Sequence, residues 1–115
     1  MIIKHEEIEP IEFDQLKIVD YTAGKDNSSS FAEITVPMGV GHKISWSNRS
    51  DKYYYISKGN VNFIVNEESN NLSPGDICII PKGHRFCYTN IGSSEAVLIL
   101  VHTPDFRLEY EMFEE

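Results

Sequence analysis

Short runs in which apolar and polar side chains alternate follow one another along most of the chain. Val61, Phe63 and Val65 recur at every second position, a spacing that is typical of a half-buried strand. Strand-forming composition and turn boundaries predict further strands at residues 16–21, 31–36, 53–57, 77–80, 85–89 and 96–102. No stretch shows the 3.6-residue period of a long amphipathic helix, so the pattern predicts an all-β protein, either an antiparallel sandwich or a barrel.

Residues typical of turns separate these runs. Residues 73–76 contain a Pro-Gly pair, which predicts a turn because proline fixes one backbone angle and glycine allows a positive one. Residues 66–71 are polar and predict a hairpin loop. The tail after Pro104 is predicted to form either a short helix or an extended segment across the barrel, and Met112 and Phe113 indicate that it docks on an apolar surface.

Length and charge narrow the class of protein. The chain has 115 residues, which suffices for one core, so we expect one domain over residues 1–115. Its formal net charge of −8 disfavours binding to nucleic-acid phosphates or to anionic membranes. The longest apolar run, residues 96–101, is far shorter than the ~20 residues that span a bilayer, and the first residues lack the pattern of a secretory signal. We therefore expect a cytoplasmic protein.

Two features of the composition have simple explanations. Acidic residues crowd both ends of the chain, Glu111 among them, and are interpreted as surface charge that favours solubility. Cys78 and Cys87 are too few for a disulfide framework and are interpreted as small buried hydrophobic residues.

The segment from Gly75 to Asn90 contains the most specific motif of the chain. Pro81 and Gly83 fall between these ends at a spacing that resembles the second motif of the cupin family, in which the position of Phe86 is normally a metal-binding histidine. The resemblance covers residues 31 to about 104. It implies an antiparallel jelly-roll barrel, or double-stranded β-helix, with an N-terminal strand and the C-terminal tail packing on it.

A first cupin motif is also recognisable between Gly39 and Gly59. The positions that correspond to the family's two histidines and one glutamate hold Ser45, Ser47 and Lys52. Hydroxyl groups, an ammonium group and the phenyl ring of the second motif are poor ligands for zinc or iron, which need imidazole, thiolate or carboxylate donors. We therefore expect no metal ion and no other cofactor. His42, His84 and His102 are candidates for a displaced metal site, although their spacing does not require them to meet.

The resemblance also predicts which side chains face the interior. In the family the glutamate of the first motif points inward, and alternation then turns Tyr53 and Tyr55 outward. The predicted ligand pocket is lined by Ser45, Ser47, Lys52, Tyr54, Phe86 and Tyr88. Aromatic walls with a few polar groups suit a small molecule. The outward tyrosines and the resemblance to small cupins predict a homodimer.

Lys52 allows three interpretations. It can neutralise the carboxylate or phosphate of a ligand, it can act as a base or Schiff-base nucleophile after desolvation lowers its pKa, or it can reach solvent at the mouth of the barrel.

The leading functional hypothesis is therefore a small, metal-independent cupin that binds a polar or anionic metabolite such as a sugar, a sugar phosphate or a carboxylic acid. One alternative is a metal-free sugar isomerase, epimerase or lyase, for which Lys52, Tyr54, His84 and His42 are the catalytic candidates. Another is a metalloenzyme with displaced histidine ligands. The sequence does not identify the ligand.

Overall fold

Two antiparallel sheets make up the fold in the computed structural model, which describes residues 1–25 and 27–114. The strands are β1 (Ile11–Phe13), β2 (Leu16–Asp20), β3 (Ser30–Val36), β4 (Gly41–Ser47), β5 (Asp51–Lys58), β6 (Val61–Val65), β7 (Glu68–Leu72), β8 (Ile77–Ile80), β9 (Phe86–Asn90), β10 (Ala96–Thr103) and β11 (Glu111–Phe113). The large sheet has the order β1-β2-β3-β10-β5-β8, and the small sheet has the order β11-β4-β9-β6-β7. The all-β jelly roll that the sequence predicted is confirmed, with its hydrogen bonding divided between two sheets.

The core lies between the inner faces of the sheets. Tyr54 in β5 and Phe63 in β6 are each 1% exposed, and their rings meet with centroids 5.2 Å apart. Tyr55, the neighbour of Tyr54, is 44% exposed, as strand alternation requires. The predicted inward and outward parity of β5 therefore agrees with the structure.

The predicted loop over residues 66–71 is wrong. Asn66 and Glu67 both have positive φ angles, 47° and 72°, and form a two-residue turn between β6 and β7. Strand β7 is exposed along most of its length, and Leu72 alone of its residues is partly buried. A solvent-facing edge strand needs no apolar alternation, so its sequence resembles that of a loop.

The C-terminal tail combines both predicted conformations. Leu108–Tyr110 form a single 3-10 turn, and β11 then pairs antiparallel with β4, so that Met112 lies opposite Trp46. A second 3-10 turn spans His5–Glu7. Across residues 1–25 and 27–114, neither the length nor the hydropathy of any helix would allow it to cross a membrane.

Candidate functional site

A cavity of about 290 Å³ lies between the two sheets and is the candidate site. Its walls come from inner residues of both sheets, from β1 and from the C-terminal tail. Most of the lining is apolar, whereas the polar groups are Glu12, His42, Lys52, Tyr54, His102 and Glu111. A small apolar cavity with a few convergent polar groups is the usual form of a small-molecule site.

A second groove, of about 390 Å³, lies on the outside of the small sheet. Two of its charged residues, Arg85 and Glu114, are half exposed and pair with each other at 2.7 Å. Arg85 also lies over the Trp46 ring, 4.1 Å from its centroid. These groups satisfy one another at the surface, so the inner cavity is the stronger candidate for chemistry.

His42 is held in the cavity by aromatic rings. Its imidazole stacks on Phe86 at 5.3 Å between centroids and 25° between planes, and on Phe113 at 6.2 Å and 23°. Phe113 belongs to β11, so the tail covers one side of the imidazole. This packing fixes the ring and removes it from most of the solvent.

The tautomer of His42 follows from its hydrogen bond. Nδ1 lies 2.7 Å from the backbone carbonyl oxygen of Lys43. A carbonyl oxygen only accepts, so Nδ1 carries the proton and Nε2 of the neutral ring has a free lone pair. Burial lowers the pKa of His42 to about 4, and the hydrogen bond to Lys43 opposes this only in part. At neutral pH the imidazole is therefore an uncharged base with a defined basic nitrogen.

Lys52 forms a buried ion pair with Glu111. The Lys52 side chain is 4% exposed and that of Glu111 is 6% exposed, and Lys52 Nζ donates to Glu111 Oε1. Lys52 Nζ also lies 5.3 Å from the centroid of the Phe86 ring. Burial lowers the pKa of Lys52, whereas the charge and the hydrogen bond of Glu111 raise it. The interpretation that Lys52 reaches solvent at the mouth of the barrel is therefore wrong, because its ammonium group is buried against a carboxylate of the tail.

His102 lies across the ladder from Lys52, since the two residues pair in register between β10 and β5. It is 5% exposed, and its Nε2 has no hydrogen-bond partner among the described residues. Burial, together with the charge of Lys52, lowers the pKa of His102 to about 3. The ring is therefore uncharged at neutral pH.

Two buried tyrosines complete the polar cluster. Tyr54 lines the cavity, and Tyr88 packs against both Tyr54 and His42 at 5.4 and 5.5 Å between ring centroids. Burial raises the pKa of each phenol, so both remain protonated hydrogen-bond donors. The Tyr88 hydroxyl and Ser45 Oγ are buried without a partner within the described part of the chain.

The structure divides the predicted ligand-binding set in two. Lys52 and Tyr54 line the cavity. The other four are buried beside it: Ser45, Ser47, Phe86 and Tyr88. Ser47 has a structural role, because its Oγ accepts hydrogen bonds from the backbone N–H groups that follow it in the turn before β5.

The structure also separates the four residues that were predicted as catalytic candidates. His42, Lys52 and Tyr54 share the cavity. His84 does not, because its Nδ1 pairs with the Asn66 side chain at 2.9 Å near the outer groove. The residues predicted from the sequence did not include Glu111, the partner of Lys52. A lysine predicted inside a barrel is itself a signal that an anion lies nearby.

The fold and its motifs can be compared with known proteins. The family model of the cupin domain matches residues 33–102, more than half of the chain. The chain is a cupin. No curated protein sequence matches this cupin.

Solved structures resemble the cupin along nearly its whole length. The nucleoside dehydratase Pac13 has a TM-score of 0.87 at 22% identity, covering 100% of this chain and 91% of its own. A variant of Streptomyces PAC13 with uridine has a TM-score of 0.86 at 22% identity over 99% and 90% of the two chains. KdgF from Halomonas sp. has a TM-score of 0.83 at 14% identity over 95% and 96%. At these identities the likeness concerns the fold.

The metal ion implied by the cupin family does not fit the side chains of this cupin. At the family's ligand positions, Ser45 and Ser47 offer only hydroxyl groups, Phe86 offers a ring, and the Lys52 ammonium is bound to Glu111. In residues 1–25 and 27–114 no group of three or more His, Cys, Asp or Glu side chains could hold a metal ion. We therefore derive no chemical step through a metal.

Proposed function

We propose that this cupin is an acid–base lyase that eliminates water from a small sugar-containing carbonyl compound such as a nucleoside aldehyde, with His42 as the base. The observation that carries the proposal is the neutral imidazole of His42, whose Nδ1 is bound to a carbonyl oxygen and whose Nε2 is unprotonated. It lies in a cavity that also presents Tyr54 as a hydrogen-bond donor.

The low basicity of His42 limits the reaction class. With a pKa of about 4, the imidazole can remove a proton only from a carbon that a neighbouring carbonyl group makes acidic. The C–H electron pair then forms a carbon–carbon double bond, while the C–O bond to a β-hydroxyl group breaks. The proton on the His42 imidazolium passes to the departing oxygen, so that the products are an unsaturated carbonyl compound and water.

Tyr54 is suited to the charge that develops in this step. A protonated phenol can donate a hydrogen bond to the carbonyl oxygen as it becomes negative, which lowers the barrier. The ammonium group of Lys52 adds a positive field in the same cavity. The elimination therefore needs no group beyond those that line the site.

The comparison with Pac13 supports the reaction class. Pac13 is described as a nucleoside dehydratase, and solved PAC13 structures with uridine include variants in which a histidine is replaced by glutamine or a tyrosine by phenylalanine. In this cupin Tyr88 packs on both His42 and Tyr54, so one histidine and two tyrosines form a continuous cluster.

The test is turnover of sugar and nucleoside aldehydes that carry a hydroxyl group β to the carbonyl. We expect loss of one water by mass spectrometry and ultraviolet absorbance from the conjugated product. His42→Gln should abolish turnover, whereas His84→Gln, a matched change at a histidine outside the cavity, should retain it. Binding without turnover, or equal activity of the two variants, would contradict the proposal.

A further inference from the structure

Within residues 1–25 and 27–114, Lys52 is the only side-chain cation that lines the cavity, and Glu111 neutralises its charge. Lys52 and Glu111 are each nearly inaccessible, at 4% and 6% exposure of the side chain, and they bind one another directly. Glu111 comes from the tail strand β11, which reaches the cavity from the far edge of the small sheet. The protein thus supplies its own carboxylate to its buried ammonium group.

The remaining polar groups of the cavity provide no compensating positive charge. His42 and His102 are uncharged at neutral pH, and Tyr54 is protonated. Glu12, at the wall formed by β1, adds a negative charge. The interior of the cavity is therefore neutral, with a negative group on the wall formed by β1.

Cations close to the cavity are also paired. Lys43 lies over the Phe113 ring, 4.8 Å from its centroid, and pairs with Asp14 at 3.6 Å. Arg49 pairs with Asp105 at 2.6 Å, next to the tail residues Phe106 and Leu108 that line the cavity. A doubly charged phosphate would have to shed its water without meeting a free cation, which is strongly unfavourable in an apolar site.

We propose that Glu111 determines substrate specificity, because it occupies the position where Lys52 would otherwise bind an anion, so that the cavity accepts uncharged sugars or nucleosides and rejects their phosphates. This inference rests on the cavity of the proposed function as the ligand site, but not on the elimination itself. It also narrows the sequence-based expectation of a polar or anionic metabolite to an uncharged one.

The test compares the binding of uridine and uridine 5′-monophosphate by calorimetry. In the wild-type protein we expect the nucleoside to bind at least about tenfold more tightly, a difference of about 1.4 kcal/mol. Glu111→Gln keeps the shape of the side chain but frees the ammonium group, so it should gain at least about tenfold in affinity for the monophosphate. Glu114→Gln removes the same charge from the same tail outside the cavity and should change neither affinity.

Each result bears on the proposal. Equal or tighter binding of the monophosphate by the wild-type protein would overturn it, as would the absence of any gain in Glu111→Gln. If neither compound binds, the Tm of the wild-type protein and of Glu111→Gln is measured with and without inorganic phosphate. A rise in Tm that occurs only in Glu111→Gln supports the proposal, and any other pattern refutes it. Should the single variant fail to fold, Lys52→Met/Glu111→Gln, which has no buried charge, must keep the preference for uridine.

These measurements separate specificity from catalysis. Binding preferences can be read in a protein that turns nothing over, so a failure of the lyase proposal leaves them interpretable. Conversely, a preference for the monophosphate would refute the role of Glu111 while leaving the activity difference between His42→Gln and His84→Gln intact.

Discussion

The imidazole of His42 lies on the phenyl ring of Phe86, with 5.3 Å between the ring centroids and 25° between the ring planes. Phe86 occupies the position at which the second cupin motif normally places a metal-binding histidine. A side chain that cannot bind a metal therefore supports the imidazole that we propose as the base. The same ring lies beneath the Lys52 ammonium group, so one apolar residue positions both groups.

Replacing Phe86 should damage activity more than stability. Phe86→Leu keeps an apolar side chain but removes the flat surface under His42, so we expect a loss of about 1–2 kcal/mol in unfolding free energy and at least about a tenfold loss in kcat. Phe63→Leu is the matched change, because Phe63 is equally buried but makes no ring contact with His42. Equal losses of kcat in the two variants, measured alongside urea unfolding, would show that the stacking has no catalytic role.

The rate should remain nearly constant in mildly acidic solution. An ordinary histidine base loses activity below about pH 6.5, but His42 has a pKa of about 4 and stays unprotonated well below that value. We therefore expect kcat to change little between pH 7 and pH 5 and to fall as the pH approaches 4. A pH–rate profile whose acidic limb bends near 6.5 would show that His42 is not the base, or that its environment in the substrate complex is different.

His102, together with His42, should make folding stability fall over the same acidic range. The pKa of His102 is about 3 in the folded protein and about 6.5 in the unfolded chain, so the unfolded chain binds more protons and stability is lost as the pH falls below 6.5. Between pH 7 and pH 4 this loss is on the order of 3 kcal/mol. In urea unfolding across this range, the unfolding free energy of His102→Asn should depend less steeply on pH than that of the wild type. An unchanged dependence would contradict the lowered pKa of His102.

The Lys52–Glu111 pair should be strongly coupled in a double-mutant cycle. Removal of either partner leaves a buried charge without its counterpart, so Lys52→Met and Glu111→Gln should each cost about 3–5 kcal/mol, whereas the double variant should lie close to the wild type. The exposed pair Arg85–Glu114 provides a control with an expected coupling of at most about 1 kcal/mol. Equal coupling energies from urea unfolding would mean that burial adds nothing to the inner pair.

Two copies of the chain are predicted to pair through the outer face of the large sheet. Tyr55 and Ile77 are neighbours in register on that face and are 44% and 54% exposed, and Ile79 on the same strand is 53% exposed. A continuous apolar face of this kind is usually covered by a partner. Ile79→Lys should give a monomer by light scattering, whereas Ile64→Lys on the outer face of the small sheet should not change the mass.

The fold was predictable because its signals are local. Alternation placed Tyr54 inward and Tyr55 outward, and the glycine and proline spacing around Pro81 identified the family. Strand β7 was missed because it buries almost nothing, so no apolar pattern marks it.

The candidate site was only partly predictable because its groups meet through tertiary contacts. Lys52 was identified as a charge inside the fold, but its partner Glu111 lies 59 residues away and looked like one acidic residue among many. The free nitrogen of His42 depends on a hydrogen bond to Lys43 that no spacing rule predicts. His102 lines the same cavity as His42. The sequence did not predict this, because the placement of His102 depends on the register of β10 against β5.

Strand β11 gives the protein an order of assembly. Ribosomes make the chain from its N-terminus, so β11 leaves the ribosome after all the other strands of both sheets. Until β11 has left the ribosome, Lys52 has no Glu111 to pair with and His42 lacks the cover of Phe113. The binding site is thus completed only when the last strand of the described chain pairs with β4, and a chain that ended before Glu111 would leave Lys52 without its counter-charge.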